Sequence, residues 1–445
     1  MSERREVTIN VPLLTRVEGE GALELQIRDG RISALQLRIF EPPRLFEKFL
    51  EGRSHTEVLD IVARICGICP VAYQMSASHA IESIFGTDMR SGSGPWVREM
   101  RRLFYCGEWL ESHALHIHLL AAPDFIGFNS AIEMAAHYPD EVRRGVRLQA
   151  LGNKILRTLG GRSVHPVGVR VGGFWHAPER EVMAALLEEC RQALPEAEAL
   201  LPWLATLDLP DDEQEFISVA LHHPEEYPFN EGRIIASDGL DIDIAAYHGY
   251  FRETHVAHST ALHAHYFPGG YAEGREGVPY LVGPLARLNL NHAQLPQAVR
   301  DNLAASGVQF PSRNMFHSVI ARAAELHFAL LEAIRILEAY QPAEPPFVTV
   351  TPRAGIGFGC TEAPRGILWH RYELDGEGKV VSATITPPTS QNQARIEQDL
   401  QRSLEHLGLE RPDDELRLHG EKVIRNYDPC ISCATHFLKL KVARD

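Results

Sequence analysis

The sequence predicts an α+β fold that is predominantly α-helical, a central bundle of long helices with small β-sheets at its edges. Three patterns carry this expectation. Residues 7–11 and 22–40 alternate apolar and polar side chains like half-buried strands, with Asp29-Gly30 as a two-residue hairpin turn. Residues 98–121, 174–205 and 311–340 carry apolar residues at helical spacing. Residues 206–290 are rich in Pro, Gly, Asp and His and read as a less regular insertion.

Taken in order, the chain divides into a β-rich segment (1–55), a helical core (56–205), the insertion (206–290), a second helical stretch (291–341) and a mixed segment (342–436), followed by a short tail (437–445). The clearest helix is the last of the three, where Phe316, Val319, Ile320, Ala323, Leu326, Leu330, Ile334 and Leu337 trace one stripe. Pro342 to Pro346 ends it, and Phe347 to Thr351 reads as a short strand. No internal repeat or low-complexity tract interrupts the pattern. At 445 residues the chain can bury a large core, as one oversized domain or two.

Composition narrows the function. Hydrophobic residues make up 44% and charged residues 23%, ordinary values for a globular protein. A net charge of −15 argues against nucleic acid, which calls for a basic footprint. No run of about 18 apolar residues is present, so no membrane span is expected. Arg4-Arg5 is not followed by the apolar stretch of an export signal. Three of the seven cysteines, Cys106, Cys190 and Cys360, are isolated and read as buried thiols, which suits a reducing compartment. The chain therefore reads as cytoplasmic, unless a partner subunit carries an export signal.

The chemistry concentrates in two Cys-x-x-Cys pairs at opposite ends of the chain, Arg64-Ile65-Cys66-Gly67-Ile68-Cys69-Pro70 and Asp428-Pro429-Cys430-Ile431-Ser432-Cys433-Ala434-Thr435-His436. One such pair alone is a redox motif or half of a zinc site. Two pairs brought together by folding offer four thiolates to zinc, copper, or iron and nickel in a sulfur-rich site. A proline beside a cysteine in each pair suits the first position of a helix, and Asp428 is then an N-cap candidate. Thiols at a helix N-terminus are biased toward thiolate. His436 follows Cys433 by three residues, on the same face of such a helix.

These two motifs resemble the N- and C-terminal signatures of the large, catalytic subunit of nickel-iron hydrogenases, and the resemblance runs from Arg16 to His436. It implies a single large-subunit domain over residues 1–445 and a nickel bound by Cys66, Cys69, Cys430 and Cys433. Cys69 and Cys433 would also bridge to an iron carrying carbonyl and cyanide ligands. Glu18, in Arg16-Val17-Glu18-Gly19, matches a glutamate that relays protons; taken by motif alone, it is a solvated turn residue. Glu47, in Arg44-Leu45-Phe46-Glu47, matches a ligand of a second divalent cation, usually magnesium. His436 and the backbone carbonyl of Ile385 match two more of its ligands. Arg365, in Glu362-Ala363-Pro364-Arg365-Gly366, matches the arginine over the open side of the metal pair; there it hydrogen-bonds cyanide nitrogen while Pro364 stiffens the approach. Thr389 matches a hydroxyl residue that bonds the other cyanide, and Asp428 is placed to pair with Arg365.

One position departs from the commonest family pattern. Tyr73 stands four residues after Cys69, where many members have histidine, and it cannot carry positive charge. The form Cys-Pro-Val-Ala-Tyr-Gln resembles the cytoplasmic, bidirectional branch linked to NAD(P). The implied reaction is reversible heterolytic cleavage of H2. Cys430 or Arg365 accepts the proton, and Glu18 carries it onward from Cys430.

No further cysteine motif for iron-sulfur clusters and no Gly-x-Gly-x-x-Gly is present. Electrons would therefore leave through a partner small subunit with iron-sulfur clusters, and from there to flavin and NAD(P)-binding diaphorase subunits. The resemblance also implies a maturation protease and nickel-insertion factors, with residues 437–445 as a cleavable tail. Two rivals stay open: a structural four-cysteine zinc protein, and a hydrogen-sensing or low-turnover relative. His255, His258, His263 and His265 have metal-like spacing but no cysteine or acid at matching spacing, and read as structural.

Overall fold

In the computed structural model, which describes residues 6–435, the N-terminal strands form as their alternation requires. Strands β1 (Val7–Val11), β2 (Gly21–Arg28) and β3 (Arg31–Ile39) make an antiparallel sheet in the order β1-β2-β3. Val7, Ile9 and Val11 point inward while Thr8 and Asn10 stay exposed. Asp29 and Gly30 both adopt positive φ, 52° and 72°, the turn that matches the twist of a tight hairpin.

Helix α1 (Phe46–Leu50) and helix α2 (His55–Val62) follow. Ser54 and Glu57 close a reciprocal capping box at the start of α2. Helix α3 (Pro70–Phe85) starts with Cys69 at the N-cap and Pro70 in its first turn, and ends at Gly86 with φ 60°. Nearly every side chain of α3 is buried, so it shows no amphipathic stripe.

One flank of α3 lies on the antiparallel sheet of strands Gly355–Ala363, Gly366–Leu374 and Val380–Thr386. Glycines make this approach possible, since a Cβ at Gly359 would collide with the Ser76 carbonyl and one at Gly357 with that of Ala80. Gly359→Val is expected to destabilise the fold by on the order of 3 kcal/mol through overpacking. A denaturant midpoint equal to that of the parent would contradict this contact.

Helix α4 (Gly94–Leu115) passes into a π-helical turn, His116–Ala121. It packs against the helices Pro139–Gly160 and Ser318–Glu338. The first crossing is close: a Cβ on Gly152 would strike the backbone of Glu111 and Gly107. Ser318–Glu338 is buried along most of its length and forms the centre of the bundle. Among the described residues no helix is long and apolar enough to cross a membrane.

Several sequence expectations need correction. The helix expected over 174–205 begins only at Arg180, and the one over 311–340 only at Ser318, after a short 3-10 turn. Phe347–Thr351 is not a strand; Phe347 makes one isolated bridge to Gly173. Pro345, Pro346 and Pro352 flank it, and proline cannot donate to a ladder. The insertion is more regular than expected, holding the sheet Val219–His222, Arg233–Ala236, Asp241–Ile242 and the hairpin Phe251–Val256/Ser259–Tyr266. Four consecutive buried residues, Ala261, Leu262, His263 and Ala264, hide the alternation of that hairpin's second strand.

The buried apolar residues fall into separate clusters, and this positions the cysteines. Cys66, Cys69, Cys430 and Cys433 belong to the cluster built around α3, α4 and Ser318–Glu338. Ile431 and Ala434, interleaved with the second pair, belong to the cluster under β1–β3 and the helices Pro388–Leu407 and Asp413–Asn426. The second cysteine motif thus runs along the seam between two cores.

Candidate metal centre

Folding brings the two cysteine pairs together. One sulfur from each of the four cysteines lies within 4.8 Å of the others, and all four are buried. Cys66 and Cys430 Sγ are 3.3 Å apart, and Cys69 and Cys433 Sγ 3.8 Å. The pairs are crossed, first with first and second with second. The resemblance requires that arrangement if Cys69 and Cys433 are to bridge a second metal.

The two motifs reach this geometry differently. Cys66 is extended at the end of a short 3-10 turn, and its Sγ accepts the N–H groups of Ile68 (3.3 Å) and Cys69 (3.1 Å). The N-terminus of α3 starts at Cys69, as the sequence predicts. The second motif is not a helix N-terminus of the same kind, so Asp428 is not an N-cap. Asp428 has φ 56°, Cys430 bridges in parallel to Glu18, and a 3-10 turn over Ser432–Thr435 ends the described residues. The left-handed turn at Asp428 places its carboxylate against Arg365. His436 lies outside the described residues.

Four thiols this close share negative charge unevenly. Burial raises Cys66, but hydrogen bonds from Cys430, Cys433 and Cys69 and the charge of Arg365 outweigh it and hold Cys66 well below an ordinary thiol. Cys430 and Cys433 are pushed up, first by burial. Such a set is built to be neutralised by a thiophilic cation.

Charged groups surround the sulfurs. Arg365 is buried; its Nε donates to the Asp428 carbonyl (2.5 Å) and its Nη2 to Asp428 Oδ1 (3.0 Å). Arg365 Nη1 and Asp428 Oδ2 are buried with no partner. Unmade hydrogen bonds of charged groups are costly, so both atoms point to a missing polar occupant. Arg365 Nη1 is a donor and would meet an acceptor bound beside the sulfurs, whereas Asp428 Oδ2 is an acceptor and would need a donor. The charge of Arg365 acts on Cys430, Cys69 and Cys66.

Glu18 is the sharpest placement. Its Oε2 accepts from Cys430 Sγ (3.2 Å) and from the Ser432 N–H (3.0 Å), and its carbonyl accepts from Ile431 N (2.9 Å). Burial and then the negative charge of Cys66 raise its pKa. Gly19, with φ 87°, lets the loop pass: a Cβ there would strike Glu41 Oε1 and Ile431. Arg16, also at positive φ, ties the loop to the Leu120 carbonyl (2.7 Å) and to Asp124 (2.5 Å).

The remaining predicted residues are placed as follows. Thr389 Oγ1 accepts the Cys430 N–H at 3.1 Å, while the adjacent Ser390 Oγ is buried and unpaired. Pro364 is fixed through its carbonyl, which accepts from Arg287 Nη2 at 2.9 Å. Glu47 Oε1 accepts the N–H of Ile385 at 2.7 Å, so α1 and the strand Val380–Thr386 do meet. The expected ligand from Ile385 is its carbonyl, whereas the observed contact uses its N–H. Tyr73 is fully buried among the thiols, its hydroxyl unpaired and its pKa raised well above the ordinary value by burial and Cys433. Cys106, Cys190 and Cys360 are buried thiols with pKa values raised mainly by burial, as expected of inert cysteines.

Sequence reasoning missed the supports. Glu108 of α4 reaches across to accept the N–H groups of Val71 (2.6 Å) and Ala72 (3.2 Å), capping the helix that starts at Cys69. Arg287 is fully buried; it pairs with Glu325 and Glu362 and holds the carbonyls of Ala363 and Pro364. Glu362 lay inside the quoted motif. Arg287 and Glu108 carried no local signal, since their partners come from distant elements.

The chain is similar to known proteins over most of its length. The family model described as nickel-dependent hydrogenase matches residues 44–154 and 275–436. Sulfhydrogenase 1 subunit alpha of Pyrococcus furiosus is 32% identical over 97% of this chain and 98% of its own length. The NAD-reducing hydrogenase HoxS subunit beta of Cupriavidus necator is 26% identical over 96% of this chain and 94% of its own. A crystal structure of an NAD+-reducing [NiFe]-hydrogenase in the H2-reduced state superposes with a TM-score of 0.81 at 25% identity, covering 97% of this chain and 99% of that one. With four converging cysteines, a match of this extent and a shared fold, the chain belongs to the nickel-dependent hydrogenase family.

Proposed function

We propose that this chain is the catalytic subunit of a nickel-iron hydrogenase that cleaves H2 heterolytically and reversibly, in a complex linked to NAD(P). The observation that carries it is the convergence of four buried thiols with Glu18 at 3.2 Å from Cys430 and an unpaired guanidinium nitrogen of Arg365. A closed structural zinc site has no use for a partly buried carboxyl on one sulfur or for unpaired charged atoms beside it.

Nickel would be held by Cys66, Cys69, Cys430 and Cys433, with iron at Cys69 and Cys433; bound there, the metals supply Lewis acidity and accept the electrons of H2. The protein's own part is proton handling and orientation. Cys430 takes the proton and Glu18 receives it through the hydrogen bond already present. Arg365, fixed by Asp428, supplies immobile positive charge and a free donor for a cyanide ligand. Thr389 is the donor assigned to the second cyanide, and its oxygen also fixes the Cys430 backbone. Glu47, the Ile385 carbonyl and His436 are assigned to a magnesium-like cation. Only the meeting of Glu47 with Ile385 supports that assignment.

Partners follow from what the chain lacks in sequence: an iron-sulfur small subunit, then flavin and NAD(P) diaphorase subunits in the cytoplasm. The similarity to an NAD-reducing enzyme supports this branch. The anaerobically purified complex is expected to reduce NAD+ or NADP+ with H2. Dye reduction without transfer to either nucleotide would remove the NAD(P) link and leave the hydrogenase reading intact.

A further inference from the structure

Away from the cysteines, the fold gathers two histidines and a glutamate that sequence spacing could not pair. His258 lies in the turn of the hairpin Phe251–Val256/Ser259–Tyr266, His263 on its second strand, and Glu397 on the helix Pro388–Leu407. His258 Nε2 is 2.7 Å from Glu397 Oε1, and His263 Nδ1 is 3.9 Å from Oε2. One ligand atom from each of the three lies within 4.8 Å of the others. The imidazoles meet edge-on, with centroids 5.5 Å apart.

The surroundings resemble a prepared ligand set. Glu397 Oε1 also accepts the Leu37 N–H from β3 at 2.9 Å, a backbone donor that orients the carboxylate from outside. Thr260 Oγ1 anchors the hairpin beside it, donating to the carbonyls of Ile39 (3.0 Å) and Glu41 (2.9 Å). His263 is only 3% exposed, and its Nε2 is buried without a partner. His258 and Glu397 keep 20% of their side chains exposed, which leaves a path for an ion and a water.

Two imidazoles and one carboxylate are a nitrogen–oxygen set suited to a borderline cation. Bonds of about 2.0–2.1 Å in a tetrahedron separate ligand atoms by roughly 3.3 Å. The observed 2.7 and 3.9 Å straddle that spacing, so small side-chain rotations suffice. We propose that His258, His263 and Glu397 form a three-ligand site for a zinc-class divalent cation, completed by water, that staples the insertion hairpin to the helix Pro388–Leu407. The same helix carries Thr389 at its start. The ion would thus stiffen an element of the cysteine centre without entering its chemistry, and the site stands whether or not the proposed function holds.

The test uses the anaerobically purified complex, treated with a mild chelator and then given zinc chloride alone. Parent protein is expected to bind one more zinc per chain than His258→Gln or Glu397→Gln. In a chelator competition each variant should show at least hundredfold weaker zinc binding at that site. Zinc should raise the melting temperature of the parent and not of the variants, with nickel and iron contents equal in all. The partly exposed position of His258 keeps its variant foldable where a change at the buried His263 is not. Equal zinc binding and equal melting shifts in parent and variants would overturn the proposal and leave a hydrogen-bonded cluster only.

Discussion

Glu18→Gln lowers H2 turnover by about 10²–10⁴-fold, the range of a positioned acid–base group, while nickel and iron contents stay at parental levels. The amide is the right shape to keep the Ser432 N–H bonded, so the loop over the second cysteine motif stays closed. What it cannot do is accept a proton from Cys430 Sγ, the contact that the carboxylate makes at 3.2 Å. Exchange of D2 with solvent protons is the discriminating readout, because it needs the proton path and no electron partner. Parental exchange in the variant would remove Glu18 from the mechanism. Loss of metal together with activity would instead assign Glu18 a structural role.

Arg365→Lys is expected to reduce turnover by about 10²–10³-fold, the scale of losing one fixed donor in a preorganised site. Arginine spends Nε and Nη2 on Asp428 and keeps Nη1 in reserve; lysine is a point charge that cannot do both. The charge itself survives, so Asp428 is not left as an unpaired buried carboxylate, and the protein should fold. Asp428→Asn tests the same pair from the other side. It keeps one acceptor for the guanidinium but removes the fixing charge, and turnover should fall with the metals retained. Parental rates in both variants would show that the fork is not used.

How much of this was legible beforehand depended on whether the signal was local. The β1–β3 hairpins were readable because Asp29-Gly30 and the alternation flanking it are self-contained. The stripe from Val319 to Leu337 was readable because large apolar residues recur at helical spacing within one continuous segment, even though the helix is buried all round as far as Leu330. Helix α3 gave no stripe, since it is buried all round and its contact with the sheet depends on Gly357 and Gly359, far along the chain. The expectation for Asp428 failed because proline beside cysteine has two outcomes. At Pro70 it opens a helix, whereas at Pro429 the preceding left-handed residue turns the chain toward Arg365 and Glu18.

In the metal centre, sequence motifs gave the residues and folding gave their pairing. Nothing in the spacing of either Cys-x-x-Cys says that Cys66 meets Cys430, or that Cys69 meets Cys433. The supporting charges were invisible for the same reason. Glu108 caps a helix that begins 38 residues before it, and Arg287 serves carbonyls more than 70 residues away. Buried charges of this kind hold backbone in place only when every partner is present, which makes them unreadable one at a time.

The most direct test of the central claim is an infrared spectrum of the anaerobically purified complex in the carbonyl and cyanide stretching region. The account predicts bands in that region that shift when H2 is admitted. Fully metallated protein with no such bands, and with zinc in the four-cysteine site, would contradict it.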